Sequence, residues 1–341
     1  MKILYGVQGT GNGHLTRARV MAKAFKEKGI EVDWIFSGRE KSGFFDMEIF
    51  GDYKVYRGMT FVTEHGKINF IKTALQTNIR QFFHDIKQVN VDNYDLIFND
   101  FEPVSAWAAR RAGKKTIGVS HQNAFYYKIP KKDSNFVTNW FMHKFAPVDL
   151  PIGIHWHPYD KNILPPIVEH NHYKNEIIPK RYLVYLPFAS PEDIVPQLLE
   201  FPDYEFYVYQ PIKEAIDNKN VHLRPFSREG FQQDLHCCEG VMCSAGFELP
   251  SESLHLGKKL LVKPLAGQME QASNGLALQE LGYGTVAKNF DFKTISEWLK
   301  LPARTPLNYP NVAKAVIDWI IENKSQDVEQ LHKQLWGQIK L

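Results

Sequence analysis

Ser244-Ala-Gly-Phe-Glu-Leu-Pro-Ser-Glu-Ser-Leu-His-Leu-Gly257, followed by the strand-like Lys259–Lys263 and then Gln268-Met-Glu-Gln-Ala-Ser-Asn274, decides how this chain is read. The pattern predicts a strand ending at Cys243, a turn of small residues that opens a helix, and a stop at Gly257. The first amides of a helix have no partner within it, and the helix dipole favours negative charge at that end. The backbone around Gly246 therefore reads as an anion site, with the carboxylate of Glu252 farther along the same helix. Such a geometry suits a diphosphate joined to a ribose.

Outward from this segment, apolar strand-like runs alternate with helical patterns, the signature of parallel sheets with helices on both faces. In the first half the predicted strands are Lys2–Val7, Glu31–Phe36, Tyr53–Tyr56, Tyr94–Asn99, Thr116–Val119 and Leu150–Ile154. A helix is expected from about Lys67 to Val89, carrying Phe70, Ile71, Leu75, Ile79, Phe82 and Phe83 at helical spacing. The alternation resumes with Tyr182–Leu186, Glu205–Tyr209, Val221–Leu223, Gly240–Cys243, Lys259–Lys263 and Thr285–Ala287. The expected fold class is α/β, with two Rossmann-like, doubly wound parallel-sheet domains. Their expected spans are 1–155 and 181–308, with a His-, Pro- and Asn-rich linker over 156–180 and a helical tail over 309–341.

With 341 residues and 44% hydrophobic content, the chain is long enough for two cores. A net charge of +3 from 41 basic and 38 acidic residues gives no reason to expect a nucleic-acid partner. Cys237, Cys238 and Cys243, an odd number clustered around one strand, suit idle thiols in a reducing compartment. The opening MKILYGVQGTGNGH lacks a long apolar stretch, and no run of about 18 apolar residues follows. The expectation is a cytoplasmic protein without a spanning helix.

The first strand runs into Gln8-Gly-Thr-Gly-Asn-Gly-His14, where Gly9, Gly11 and Gly13 let the backbone approach a ligand closely. A dinucleotide fingerprint would need a small residue in place of His14 and an acidic residue at the next strand's tip, where Ser37-Gly38 stands. A Walker A loop would need Lys after the last Gly, which is also missing. His14 and Asp100 both lie at the C-terminal tips of predicted strands, where open α/β sheets bind ligands. An imidazole there can take a proton near neutral pH from a reacting hydroxyl. Glu102 is the nearest other carboxylate candidate for that task.

These segments resemble the GT-B glycosyltransferases of families 28 and 1, such as the peptidoglycan N-acetylglucosaminyltransferase and the plant glucosyltransferases. Residues 240–284 carry the resemblance best, the N-terminal loop carries it locally, and the remainder carries it as architecture. It implies two domains facing a cleft, with terminal helices that cross back to the first domain. It also implies that Ser244, Ala245 and Gly246 meet the diphosphate, Glu252 holds the ribose hydroxyls, and Glu270, Gln271 and Asn274 hold the donated sugar. Ser120-His-Gln-Asn123 is similar to the His-Glu-Gln-Asn run of the peptidoglycan enzyme without its Glu, making Asn123 a candidate contact to the donor sugar. Ser190 is all that remains of the family's phosphate-contacting Gly-Gly-Ser loop, and Phe226 stands where members pack the base. On the acceptor side the resemblance makes His14 the general base or its close assistant and Asp100 the residue that steadies it. Many retaining GT-B enzymes carry two glutamates separated by seven residues, but Ser244 occupies that place before Glu252, which favours inversion.

The function so implied is transfer of a hexose, N-acetylated in the peptidoglycan-type case, from a UDP-sugar to an acceptor hydroxyl on a saccharide or lipid-linked, cell-envelope molecule. UDP-sugar is a co-substrate, and no cofactor or metal is expected because helix amides can meet the leaving charge. The alternatives are a nucleotide-sugar epimerase or hydrolase of the same fold and a non-catalytic nucleotide-sugar binding protein. A metal site among His155, His157, His170 and His172 lacks Cys partners. Phe125–Lys132 and Trp140–Phe145 mix aromatics with Lys, reading either as a buried aromatic helix with solvated lysines or as a surface for anionic lipid on the inner face of a membrane.

Overall fold

The apolar runs form two separate seven-stranded sheets. The computed structural model describes residues 1–59, 63–64, 67–68, 78–187, 189–322 and 328–341. The chain divides into two compact units: 1–129, 134–169 and 309–341 in the first, 130–133 and 170–308 in the second.

In the first unit β1 (Lys2–Gln8), β2 (Glu31–Ser37) and β3 (Tyr53–Tyr56) precede a short hairpin of β4 (Thr63–Glu64) and β5 (Lys67–Ile68). β6 (Leu96–Asp100), β7 (Thr116–Ser120), β8 (Leu150–Ile154) and β9 (Ile163–Leu164) follow. The sheet order is β3-β2-β1-β6-β7-β8-β9, all parallel. β1 is buried from Ile3 onward because helices cover both faces. Tyr5 stacks on Trp34 with centroids 4.7 Å apart and meets Phe98 edge-on at the same distance. Gly6 lets the Pro103–Ala112 helix settle on β1: a Cβ there would lie 1.9 Å from the Ser105 hydroxyl oxygen. The order reverses between β1 and β6, so the loops after those two strands flank the switch point where such sheets bind ligands.

In the second unit β10 (Arg181–Tyr185), β11 (Glu205–Tyr209), β12 (Ile216–Asn218), β13 (Val221–Arg224), β14 (Gly240–Ser244), β15 (Lys259–Lys263) and β16 (Thr285–Val286) give the order β12-β13-β11-β10-β14-β15-β16. Only the edge strand β12 is antiparallel among the strand pairings of this sheet. One face packs Tyr182, Phe206, Met242, Ile295 and Trp298 into a core. Here the order reverses between β10 and β14, placing the loops that start at Leu186 and at Ala245 at the switch point.

Two boundaries depart from the sequence reading. The stretch 156–180 is not a linker: 156–169 belongs to the first unit and 170–180 to the second. β9 pairs with β8, and the His155 amide bonds the Leu164 carbonyl at 2.9 Å, so the stretch is held by backbone pairing despite its weak periodicity. The helix expected from Lys67 is a strand at Lys67–Ile68 and a helix at Ile79–Gln88, while Phe70, Ile71 and Leu75 lie outside the described residues. The helical end, Val312–Ile321 and Val328–Trp336, belongs to the first unit. There His332 Nδ1 and Trp336 Nε1 each lie 2.8 Å from the Ile163 carbonyl oxygen.

Candidate active site

At the switch point of the first unit, β1 ends in Gly9-Thr-Gly11 and the Asn12–Glu27 helix begins. The Gly9 amide donates to the Ser37 carbonyl at 2.6 Å, and a Cβ on Gly9 would lie 2.7 Å from the Phe44 ring. Gly11 is the helix N-cap, with no side-chain cap, and Gly13 and His14 lie in the first turn. Arg39, from the loop after β2, donates to the Gly9 carbonyl and to Asn12 Oδ1, fastening the turn from the side.

The β6 tip supplies the partner. Asp100 is buried, and its Oδ1 lies 2.8 Å from His14 Nδ1. Arg17, one turn along the His14 helix, grips the carboxylate with both arms: Nε to Oδ2 and Nη2 to Oδ1, each at 2.8 Å. Burial by itself would push the Asp100 carboxyl up, but the Arg17 charge and then His14 outweigh it and hold the group below the ordinary carboxylate range. The strand exit is fixed as well. Asn99 donates to the Glu102 carbonyl and accepts from the Glu102 amide, and Phe101 between them takes a left-handed φ of 53°. A bulky residue held there costs roughly 1–3 kcal/mol, which the surrounding bonds must over-determine.

Glu102 has a different task from that considered in the sequence reading. It caps the Pro103–Ala112 helix and accepts from the Val104 and Ser105 amides and the Ser37 and Ser105 hydroxyls. Burial nevertheless pushes its carboxyl up, and the bonds from Ser105, Ser37 and Val104 only moderate that. Asn123, at the end of the β7 loop, is buried, with its amide group over Gly118, where a Cβ would come within 2.5 Å of Nδ2. It is thus folded back on its own strand instead of standing out at the strand tip.

In the second unit Ser244 ends β14, and Ala245, Gly246 and Phe247 lead into the Glu248–His255 helix. Phe247 is the N-cap and provides no side-chain cap. Pro250 sits in the first turn, where the missing N–H costs little. Glu252 is buried on the second turn, and Gln232 from the neighbouring Arg228–Cys237 helix donates to it at 3.4 Å. Glu270 and Gln271 fall in the first turn of the Met269–Glu280 helix, whose N-cap Gln268 also provides no side-chain cap.

Three predicted donor contacts hold loops in this structure. Gln271 Oε1 accepts the Leu265 amide at 2.9 Å, and Asn274 Nδ2 donates to the Ala245 carbonyl at 3.0 Å, tying its helix to the Ser244–Gly246 turn. Ser190 caps the Pro191–Leu199 helix, and its hydroxyl donates to Glu192. Phe226, two residues beyond β13, is 44% exposed and edge-on to Tyr185 with centroids 6.1 Å apart.

Arg17, Gln232 and Arg39 stand in no motif of the sequence. Arg17 left a signal: it shares the helical stripe of Ala18, Met21 and Phe25, and a cation on an apolar stripe needs a buried partner. The four histidines weighed for a metal are divided, with His155 and His157 in the first unit and His170 and His172 in the second. Among the described residues no group of three or more His, Cys, Asp or Glu could hold a metal ion. Burial pushes the Cys238 thiol up to about 12 and raises Cys243 as well. Among the described residues no helix is long and apolar enough to cross a membrane. In the two aromatic stretches Phe125, Met142 and Phe145 are buried, whereas the Phe136–Lys144 helix leaves Trp140 56% exposed and Phe136, just before the second stretch, 84% exposed.

Two doubly wound sheets in one chain, each with a loop-to-helix turn at its switch point, have the architecture of the GT-B glycosyltransferases. The chain belongs to glycosyl transferase family 1, whose sequence model matches residues 1–302. Among solved structures it is similar to CalG4, the calicheamicin glycosyltransferase (15% identity, 88% of each chain covered, TM-score 0.57). It is also similar to the glycosyltransferase of kitacinnamycin (13% identity, 99% of each chain, TM-score 0.58). A third is SsfS6 of Streptomyces sp. SF2575 complexed with thymidine diphosphate (13% identity, 98% of this chain and 96% of that one, TM-score 0.54). No curated protein matches the sequence significantly.

Proposed function

We propose that the protein transfers a hexose from a UDP-sugar to an acceptor hydroxyl with inversion, using His14 as the base. The contact that carries this reading is His14 Nδ1 to Asp100 Oδ1 at 2.8 Å, which leaves Nε2 as the nitrogen for the acceptor. The acceptor oxygen attacks the anomeric carbon as its proton passes to Nε2. The bond from that carbon to the diphosphate breaks, and its electron pair leaves with UDP. The turn from Ser244 to Gly246 and the uncapped start at Phe247 supply amides for the diphosphate, Glu252 takes the ribose hydroxyls, and Phe226 offers a ring to the base. Glu270 and the Gln271 amide group meet hydroxyls of the sugar, while Asn274 supports the phosphate turn. A neighbour of the same fold holding thymidine diphosphate supports a nucleoside diphosphate as the donor's leaving group.

Replacing His14 with Ala should lower turnover roughly 10²–10⁴-fold while calorimetric affinity for UDP stays the same. Wild-type turnover in that variant refutes the base, and UDP release with free sugar but no acceptor identifies the hydrolase alternative. Wild-type protein that binds UDP yet turns over no member of an acceptor library points to the binding-protein alternative.

A peripheral membrane contact is the second reading, favoured by the exposed Phe136, Val137 and Trp140 with Lys144 one turn beyond on the same face. A lipid-linked acceptor would be met there, at the inner face of a membrane. Sedimentation with phosphatidylglycerol vesicles should fall on replacing Phe136 and Trp140 by Ser; equal sedimentation of variant and wild type refutes it.

A further inference from the structure

We infer that Arg17 is a positioning residue for the transfer: its fork fixes the Asp100 carboxylate so that His14 carries its proton on Nδ1 and presents a bare Nε2. This rests on the proposed role of His14, but its first readout does not require turnover.

The geometry is a three-way convergence. Asp100 Oδ1 lies 2.8 Å from both His14 Nδ1 and Arg17 Nη2, while those two nitrogens are 3.0 Å apart. Arg17 Nε takes the other carboxylate oxygen at 2.8 Å, so the carboxylate cannot rotate without breaking a bidentate pair. All of this is buried: Asp100 fully, Arg17 nearly so, and His14 mostly. An ionised carboxylate has no proton to give. If Nδ1 were also bare, its lone pair would face that of Asp100 Oδ1 at 2.8 Å, too close for a water molecule to stand between them. A proton on Nδ1 resolves this, and Arg17 then shares Oδ1 as a second donor beside it.

Without Arg17, Asp100 would be a buried anion with one neutral partner and a free torsion. It could turn either oxygen to His14 or draw water in, and the tautomer would no longer be fixed. Lys at this position keeps the charge but loses the fork, so it should hold the carboxylate less well.

Two-bond nitrogen–proton NMR correlation on protein with ¹⁵N-labelled histidine, with the His14 signals assigned from His14→Gln, reads the tautomer directly. The wild type should show His14 as the Nδ1–H form. Asp100→Asn should lose that form, Arg17→Met should reduce it to a mixture, and Arg17→Lys should fall between. Turnover of a UDP-sugar should fall roughly 10–100-fold in Arg17→Met, the usual weight of a partner one bond removed from a reacting ligand, with the donor KM unchanged. In Arg17→Met/Asp100→Asn, which removes the buried charges together, tautomer and turnover should match Asp100→Asn alone, because Arg17 acts through Asp100. This double variant keeps the test open if Arg17→Met does not fold. A wild-type tautomer in folded Arg17→Met, a bare Nδ1 in the wild type, or independent losses in the double variant would overturn the inference. If the tautomers change as expected while His14→Ala retains full turnover, the inference about Arg17 and Asp100 stands and the base assignment fails.

Discussion

Acid should weaken the second unit through His255, which closes the Glu248–His255 helix and lies edge-on to His170 with ring centroids 5.2 Å apart. A helix C-terminus ordinarily welcomes a protonated imidazole. Here burial prevails, His170 and His236 add to it, and the pKa is pushed down to about 4. The sign follows from proton counting. Below the unfolded value of about 6.5 the unfolded chain takes up a proton that the folded unit refuses, so stability is intact above that pH and falls until about pH 4. The full difference is roughly 3 kcal/mol at the acid end. For a unit of this size that lowers the unfolding midpoint by roughly 6–12 °C. His155 in the first unit, also driven well down by burial and by His121 and His157, adds the same trend to both proteins in a comparison. Thermal unfolding of wild type and His255→Gln at steps from pH 7.5 to 4.5 should therefore show the wild type falling more steeply. Parallel curves, or an NMR titration of His255 with a midpoint above 6, would refute the reasoning.

Two further outcomes follow from the donor side. Glu252→Ala should weaken UDP binding by about 1–3 kcal/mol, the usual cost of a lost charge-assisted bond, and unchanged calorimetric affinity in the folded variant would remove Glu252 from the ribose. Turnover should persist in EDTA, since amides at the Phe247 helix start can meet the leaving diphosphate; loss of turnover that Mg²⁺ restores would show that a cation carries that charge.

Much of the fold could be read in the chain because parallel strands covered on both faces leave long apolar runs, and the helices between them leave a different period. The same regularity placed His14 and Asp100 at strand tips, and the structure brings their side chains together. The elements that escaped are too short for a period: β9 is two residues, β12 three with all of them exposed, and the β4–β5 hairpin two and two. Site residues failed for another reason. A strand-tip loop has its own amides and carbonyls to satisfy, and short polar side chains nearby are recruited first. Ser190 was taken by a helix start, Gln271 Oε1 by the Leu265 amide and Asn274 by the Ala245 carbonyl, none of which a residue type and a spacing reveal.

Asp100 and Glu102 make the point at closest range. Both are buried carboxylates in one strand exit, and sequence offers no ground for giving them different tasks. Glu102 meets only neutral donors, from Ser37, Val104 and Ser105; they satisfy its oxygens but do not cancel its charge, so burial still pushes its carboxyl up and it serves as a helix cap. Asp100 meets a guanidinium, which does cancel the charge, so the group stays ionised within a buried setting. An ionised carboxylate can accept from His14 Nδ1, whereas a protonated one would compete to donate. The charge that separates the two carboxylates comes from Arg17, on a different element of the fold, and the role proposed for His14 depends on that third residue as much as on the pair the motif displays.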